Sequence, residues 1–163
     1  MYYQVVDTPI GPYVIVENGA GISVVEHLKS EVDSVRKAEL TQMKEIETPL
    51  LKTAKKQLLE YFQGQRTEFD LPLSTKGTPF QEIVWQALRE IPYGEVRSYK
   101  QLAIAIGNPK AVRAVGMANN RNPISVVTPC HRVIGSNGAL VGYGGGLAVK
   151  EYLLNLEAHA ITF

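Results

Sequence analysis

Ser98-Tyr99-Lys100-Gln101-Leu102-Ala103-Ile104-Ala105-Ile106 runs into Gly107-Asn108-Pro109 and then Lys110-Ala111-Val112-Arg113-Ala114-Val115-Gly116-Met117-Ala118-Asn119. Ser98 can cap a short helix over 99–106, with Leu102, Ala103 and Ile106 inward. Gly107-Asn108-Pro109 breaks it, because proline cannot continue a helix and glycine accepts turn conformations at little steric cost. A second helix is predicted from Lys110 to about Asn119. Two short helices around a tight glycine-containing turn form a helix-turn-helix pattern. The second carries Lys110 and Arg113, and Ala111, Ala114, Gly116 and Ala118 would let its backbone approach a partner closely. Tight packing inside the protein accounts for the same small residues, so a recognition helix and a packing helix both remain open.

Upstream, Thr78 is a suitable N-cap with Pro79 at the first helical position, and Phe80, Ile83, Val84, Ala87, Leu88 and Ile91 form one stripe ended by Pro92-Tyr93-Gly94. Downstream, Pro123 and the apolar Ile124-Ser125-Val126-Val127 lead into Thr128-Pro129-Cys130-His131-Arg132-Val133-Ile134. The glycine-rich Gly142-Tyr143-Gly144-Gly145-Gly146 precedes a predicted helix from about Leu147 to Glu157, with Leu147, Leu154 and Ala158 on one face. Residues 1–28 read as an antiparallel meander: Tyr13–Val16 and Ile22–Val25 are β-branched and aromatic, joined by Asn18-Gly19-Ala20-Gly21. Residues 29–47 are polar and define no element. Pro49 opens a helix carrying Leu50, Leu51, Ala54, Leu58 and Phe62, with Gly64 as its stop. The expected boundary near 74–78 divides an α+β chain in two. Residues 1–76 form a small N-terminal domain with an antiparallel sheet and helix. Residues 77–163 form a mostly helical domain containing the helix-turn-helix.

With 163 residues, 45% hydrophobic and 20% charged, the chain has globular composition, which excludes disorder, coiled coil and collagen as descriptions of the whole. A single cysteine, Cys130, rules out an internal disulfide, a zinc ribbon and an iron–sulfur cage. The three scattered histidines argue against a metal centre. No apolar run approaches the roughly 18 residues of a membrane span. The first residues lack a basic segment followed by an apolar one, so no signal peptide and a cytoplasmic location are expected. Net charge is +1, but residues 91–132 hold six basic side chains and one acidic, a local +5. Such a segment suits a phosphate backbone, where each neutralised phosphate releases counterions; a solvated face has the same composition.

Cys130 directly precedes His131. A thiol attacks only as thiolate, and an imidazole oriented by a carboxylate can take its proton. Glu157, at the end of the last helix, is a candidate for that carboxylate. Neighbouring side chains diverge, so a bridging water would carry the proton. An inert buried cysteine is the competing reading. The neighbouring glycines could bring backbone N–H groups to a developing anion, or form only a surface loop.

At Pro129-Cys130-His131-Arg132-Val133 the chain resembles the O6-alkylguanine-DNA alkyltransferases, or methylated-DNA–protein-cysteine methyltransferases. The resemblance extends over Pro92-Tyr93-Gly94-Glu95-Val96, Ser98-Tyr99, Gln101-Leu102-Ala103, 107–116, Asn122-Pro123 and 145–151, covering nearly all of residues 79–157. It implies DNA repair by single-turnover transfer of the alkyl group of O6-alkylguanine, with O4-alkylthymine as a second candidate, to Cys130. Base flipping and irreversible self-inactivation go with that reaction.

By the same resemblance His131 is the base acting through a water, Glu157 orients it, and Asn122 braces the helix-turn-helix against the active-site segment. Tyr99 donates to the flipped guanine, and Arg113 fills the space it leaves. The backbone of Cys130 and Val133 meets the base edge. Tyr143, Gly144 and Arg132 join the substrate and DNA contacts. Gly144 stands where some members carry serine, which leaves only a backbone N–H there. No cofactor is implied, and the zinc ligands of some relatives have no counterpart in residues 1–48. The implied partner is double-stranded DNA holding the lesion, met in the minor groove by a monomer, with no membrane. A non-catalytic lesion-binding module on the same fold is the alternative; a Cys-His-Glu hydrolase and a purely structural domain are weaker competitors.

Overall fold

The structure, a computed structural model, describes residues 1–28, 33–138 and 146–160. It divides into two compact units, Met1–Thr75 and Lys76–Phe163. In the first, β1 (Tyr2–Thr8), β2 (Gly11–Glu17) and β3 (Ile22–His27) form the meander that the β-branched and aromatic runs predict. The polar segment yields two elements with no sequence signal, α1 (Asp33–Leu40) and the two-residue β4 (Lys44–Glu45). β4 pairs parallel to β1, so the sheet is mixed rather than wholly antiparallel, in the order β3-β2-β1-β4. Helix α1 has little apolar surface; Arg36 ties it to β3 through an ion pair with Glu26 at 2.5 Å and pairs with Glu39 of the same helix at 2.6 Å, and Leu40 is buried. Strand β2 is covered on both faces. Val14 and Val16 cluster with Val24 and Leu40, whereas the Tyr13 ring lies 5.8 Å from Phe62 of α2 (Pro49–Phe62). Thr48 caps α2, accepting from the Leu51 N–H at 3.1 Å.

The second unit contains α3 (Pro79–Arg89), β5 (Arg97–Ser98), α4 (Tyr99–Ala105), α5 (Val112–Asn120), a 3-10 turn (Cys130–Arg132), β6 (Val133–Ile134) and α6 (Leu147–Ala160). Capping boxes start α3, between Thr78 and Gln81, and α4, between Ser98 and Gln101. The core joins Val84, Trp85, Leu88 and Ile91 to Leu102, Ala103, Val115, Ala118, Val133 and Cys130. Trp85 takes the inward place expected of Ile83, which is 52% exposed; the indole N–H donates to the Ala118 carbonyl of α5 at 2.9 Å. That ring also explains Gly77, where a Cβ would lie 2.4 Å from it.

Two further expectations change. Helix α5 begins at Val112 rather than Lys110, because Asn108–Ala111 forms a turn closed by the Ala111 N–H on the Asn108 carbonyl. The buried face of α6 carries Lys150, Leu153 and Glu157, while Leu147 and Ala158 are exposed. Hydrophobic periodicity misplaces this helix because two of the three buried positions among its described side chains are ionic. Among the described residues no helix is long and apolar enough to cross a membrane.

Candidate active site

The chain between α5 and Cys130 is pinned by Asn122. Its amide donates to the carbonyls of Thr128 at 2.8 Å and Ile124 at 3.3 Å, and its oxygen accepts from the Ile124 N–H at 3.0 Å. Inside that clamp Val126 has φ 70°, with a hydrogen bond from the Val127 N–H to the Ser125 carbonyl at 2.8 Å. This is a γ-turn in the left-handed region, costly for a β-branched residue and tolerated only where the surroundings impose it. Asn122 and the buried Val126 side chain impose it here, and Pro129 then delivers Cys130 into the 3-10 turn. These bonds brace residues 122–128 locally.

Cys130 is 5% exposed and His131 wholly buried. The His131 Nε2 lies 2.6 Å from Glu157 Oε2. Glu157, buried on α6, also accepts from Arg132 Nε at 2.8 Å and Nη2 at 3.0 Å, and from the Gly94 N–H at 3.3 Å. Burial pushes the Glu157 carboxyl up, but the hydrogen bonds and charges of His131 and Arg132 outweigh it and hold the group at about 2. The carboxylate is therefore ionised. Burial pushes the His131 imidazole down, against the pull of Glu157 and with help from the Arg132 and Lys150 charges. A neutral ring that gives its Nε2 hydrogen to Glu157 keeps the lone pair on Nδ1, which is buried without a hydrogen-bond partner among the described residues. The constellation is a base with one committed nitrogen and one free to accept a proton.

Arg132 departs from its expected place among the DNA contacts. It is 7% exposed, its Nη1 donates to the Ile91 carbonyl at 2.8 Å, and its guanidinium lies 5.6 Å from the Tyr93 ring centroid. A guanidinium engaged on Glu157, Ile91 and Tyr93 neutralises the buried carboxylate; it does not reach for phosphate. The sequence hides this because the partners lie 25 and 41 residues away.

Tyr99, half-buried at the start of α4, lies within electrostatic reach of Cys130. Burial and Cys130 push its hydroxyl up, and a hydrogen bond from Asn119 pulls it down. Lys150 is fully buried, donates to the Val133 carbonyl at 2.5 Å and sits 5.8 Å from the Tyr99 ring centroid. Burial pushes its ammonium down, and Cys130 partly offsets this. The Val133 carbonyl, expected at the base edge, thus already holds Lys150 with one lone pair. Sequence reasoning missed Asn119 and assigned Lys150 no role, since polar residues inside helical patterns read as surface. Arg113 is exposed on α5, on the side carrying Ala114 and Met117. Of the six basic residues in 91–132, Arg132 is buried and Arg97 pairs with Glu95 at 3.2 Å, leaving Lys100, Lys110, Arg113 and Arg121 exposed. Tyr143 and Gly144 lie outside the described residues. Among the described residues no group of three or more His, Cys, Asp or Glu side chains could hold a metal ion.

Residues 79–159 match the family described as 6-O-methylguanine DNA methyltransferase, DNA binding domain, and residues 1–75 match its ribonuclease-like domain. The chain belongs to the O6-methylguanine DNA methyltransferase family. The constitutive methylated-DNA–protein-cysteine methyltransferase of Bacillus subtilis is 53% identical over 158 residues, 96% of this chain and 94% of that protein. The methylated-DNA–protein-cysteine methyltransferase of Methanosarcina barkeri is 48% identical over 96% of this chain and 97% of its own length. Among solved structures, Mycobacterium tuberculosis OGT in complex with DNA superposes with a TM-score of 0.88 at 43% identity, covering 98% of this chain and 94% of that one. The DNA-binding-domain match contains α4, α5, the 3-10 turn and α6 up to residue 159. The whole Cys130, His131, Arg132, Glu157, Tyr99 and Lys150 cluster falls inside it.

Proposed function

We propose that the chain repairs DNA by moving the alkyl group of O6-alkylguanine onto its own Cys130, one group per molecule. The observation that carries this reading is the buried His131, tied at Nε2 to Glu157 and without a partner at Nδ1 among the described residues, next to the chain's single cysteine. The thiol proton passes through a bridging water to Nδ1, and Glu157 stabilises the imidazolium that forms. The Cys130 thiolate attacks the alkyl carbon, a C–S bond forms as the C–O6 bond breaks, and the electron pair leaves with guanine. Tyr99 donates to the departing base as charge builds on it. The product thioether does not hydrolyse, so the protein is consumed.

The alkyl carbon of a stacked base is out of reach, so the base must be flipped at a cost of a few kcal/mol. The reading gives Arg113 the vacated space and α5 the minor groove, which suits its exposed Ala114. The Cys130 and Val133 backbone meets the base edge, with Tyr143 and Gly144 of the glycine-rich segment beside it. O4-alkylthymine is a second substrate by the same displacement. The protein acts as a monomer in the cytoplasm, where a lone thiol stays reduced. Incubation with an oligonucleotide carrying a radiolabelled O6-methylguanine tests the reading. Label should stay on the protein after denaturation, at no more than one per chain. A gel shift without transferred label would mark a binding module instead.

A further inference from the structure

Thr128, which shortly precedes Cys130, is 1% exposed. A valine would fill the same space, and a hydroxyl taken out of water is costly unless it is hydrogen-bonded. The Thr128 Oγ1 accepts from Arg89 Nη1 at 3.0 Å. Arg89 is half-buried in the last turn of α3, and its Nη2 donates to Gln86 Oε1 of the same helix at 3.1 Å. One nitrogen thus holds the guanidinium on α3 while the other reaches the segment that carries the nucleophile. The backbone bonds of Thr128 stay inside that segment. Its N–H donates to the Ile124 carbonyl at 2.9 Å, and its carbonyl accepts from the Cys130 N–H and the Asn122 amide, each at 2.8 Å. These bonds set the shape of residues 122–130 but not its place against the helices. The Asn119 amide of α5 reaches the Cys130 carbonyl only at 3.4 Å. On the far side of Cys130, Arg132 Nη1 donates to the Ile91 carbonyl at 2.8 Å. Thr128 and Arg132 flank the nucleophile, and Arg89 and Ile91 stand at the end of α3. Cys130 therefore lies between two guanidinium links to one helix end, in the core it shares with Val84 and Leu88 of that helix.

We propose that Arg89 is a positioning residue for alkyl transfer, fixing the Cys130 side chain relative to α3 through the Thr128 hydroxyl. In-line displacement at carbon tolerates little error in the line of attack, and a misplacement of about 1 Å can cost on the order of a hundredfold in rate. A charge-assisted bond to a buried hydroxyl is a stiff way to hold that line. The role is geometric and leaves the supply of thiolate to His131 and Glu157. The inference rests on the reading that Cys130 accepts the alkyl group.

Two rates on the same sulfur separate position from reactivity. Iodoacetamide alkylates Cys130, the chain's single cysteine, with no bound geometry to satisfy, whereas transfer from free O6-benzylguanine needs the bound carbon in line. Arg89→Met should slow transfer by roughly tenfold and leave the iodoacetamide rate within about twofold. Arg89→Lys, which can still donate to the Thr128 hydroxyl, should recover most of the transfer rate. Thr128→Val removes the acceptor at nearly constant shape and should match Arg89→Met, and the double variant should lose about tenfold rather than a hundredfold, because both changes break one link. An equal fall of both rates, a lysine variant no faster than the methionine one, or additive losses in the double variant would overturn the proposal. If Arg89→Met does not fold, Thr128→Val decides alone, and transfer at the native rate overturns the proposal. A native chain that transfers no alkyl group at all refutes the functional reading itself; a native chain that transfers normally beside an equally fast Arg89→Met refutes only the role of Arg89.

Discussion

Replacing Glu157 by glutamine keeps the side chain's shape and removes one charge from a buried, multiply hydrogen-bonded group. Four donors converge on this carboxylate, from His131, Gly94 and two nitrogens of Arg132. The glutamine can still accept from some of them, but the Arg132 guanidinium would stay buried without its counter-charge. Removing one partner of a buried pair costs about 3–5 kcal/mol. Proton linkage gives an independent figure. The carboxyl titrates at about 2 in the folded chain against an ordinary value of 4.5. At about 1.4 kcal/mol per pH unit that is on the order of 3 kcal/mol. The folded value is depressed, so this stabilisation is complete above about pH 4.5 and is lost as pH falls toward 2. Urea unfolding followed by the fluorescence of Trp85, the only tryptophan, measures it. Glu157→Gln should be about 3 kcal/mol less stable at pH 7, and the gap to the native chain should narrow between pH 4.5 and 3. Adding Arg132→Met should recover part of the loss by removing the stranded cation. A difference below about 1 kcal/mol at pH 7, or one that stays constant down to pH 3, would refute the reasoning.

Other consequences follow from the same geometry. Arg113→Ala should slow repair of a methylated duplex by about tenfold or more while leaving the reaction with free O6-benzylguanine within about twofold, since only duplex requires flipping; equal loss on both would remove Arg113 from that role. Asn122→Ala takes one donor from each of the Thr128 and Ile124 carbonyls, which keep the Cys130 and Thr128 N–H groups, leaves the Ile124 N–H without its acceptor and frees the γ-turn at Val126, so urea unfolding should show a loss of about 2–3 kcal/mol, and less than about 1 kcal/mol would contradict the brace. With four exposed cations in 91–132, the slope of log affinity for duplex against log salt should be no steeper than about −4; a slope beyond about −6 would mean that other parts of the chain carry the contact.

Local signals in the sequence specify much of the fold. The hydroxyls of Thr78 and Ser98, the breaker at Gly107-Asn108-Pro109 and the β-branched and aromatic runs of the meander each act within a few residues of themselves, so α3, α4, α5 and the β1–β3 strands are legible. Partnerships across long separations are not. Arg132 read as a surface cation because nothing near it in the chain reveals the Glu157 carboxylate. Helix α6 was turned to the wrong face because its inward positions are Lys150 and Glu157, each made tolerable by a specific partner and invisible to an apolar count. Ile83 and Trp85 flank the Val84 and Leu88 stripe on opposite sides of α3, and the helix turns its Trp85 flank inward because the ring packs in the core and its N–H finds the Ala118 carbonyl. Helix α1 and β4 are held by ion pairs and a two-residue ladder, which no periodicity announces. In the site itself the adjacency of Cys130 and His131 was plain, whereas Asn119 looked like one more polar residue at a helix end.

The central claim is that the lone sulfur is consumed by a carbon taken from DNA. Intact-mass analysis after incubation with excess O6-methylguanine oligonucleotide tests it most directly, with peptide mapping to locate the gain. The account predicts a single addition of about 14 Da, confined to Cys130 and absent from Cys130→Ser, which should still bind the duplex. An unchanged mass, or repaired guanine in excess of protein, would contradict it.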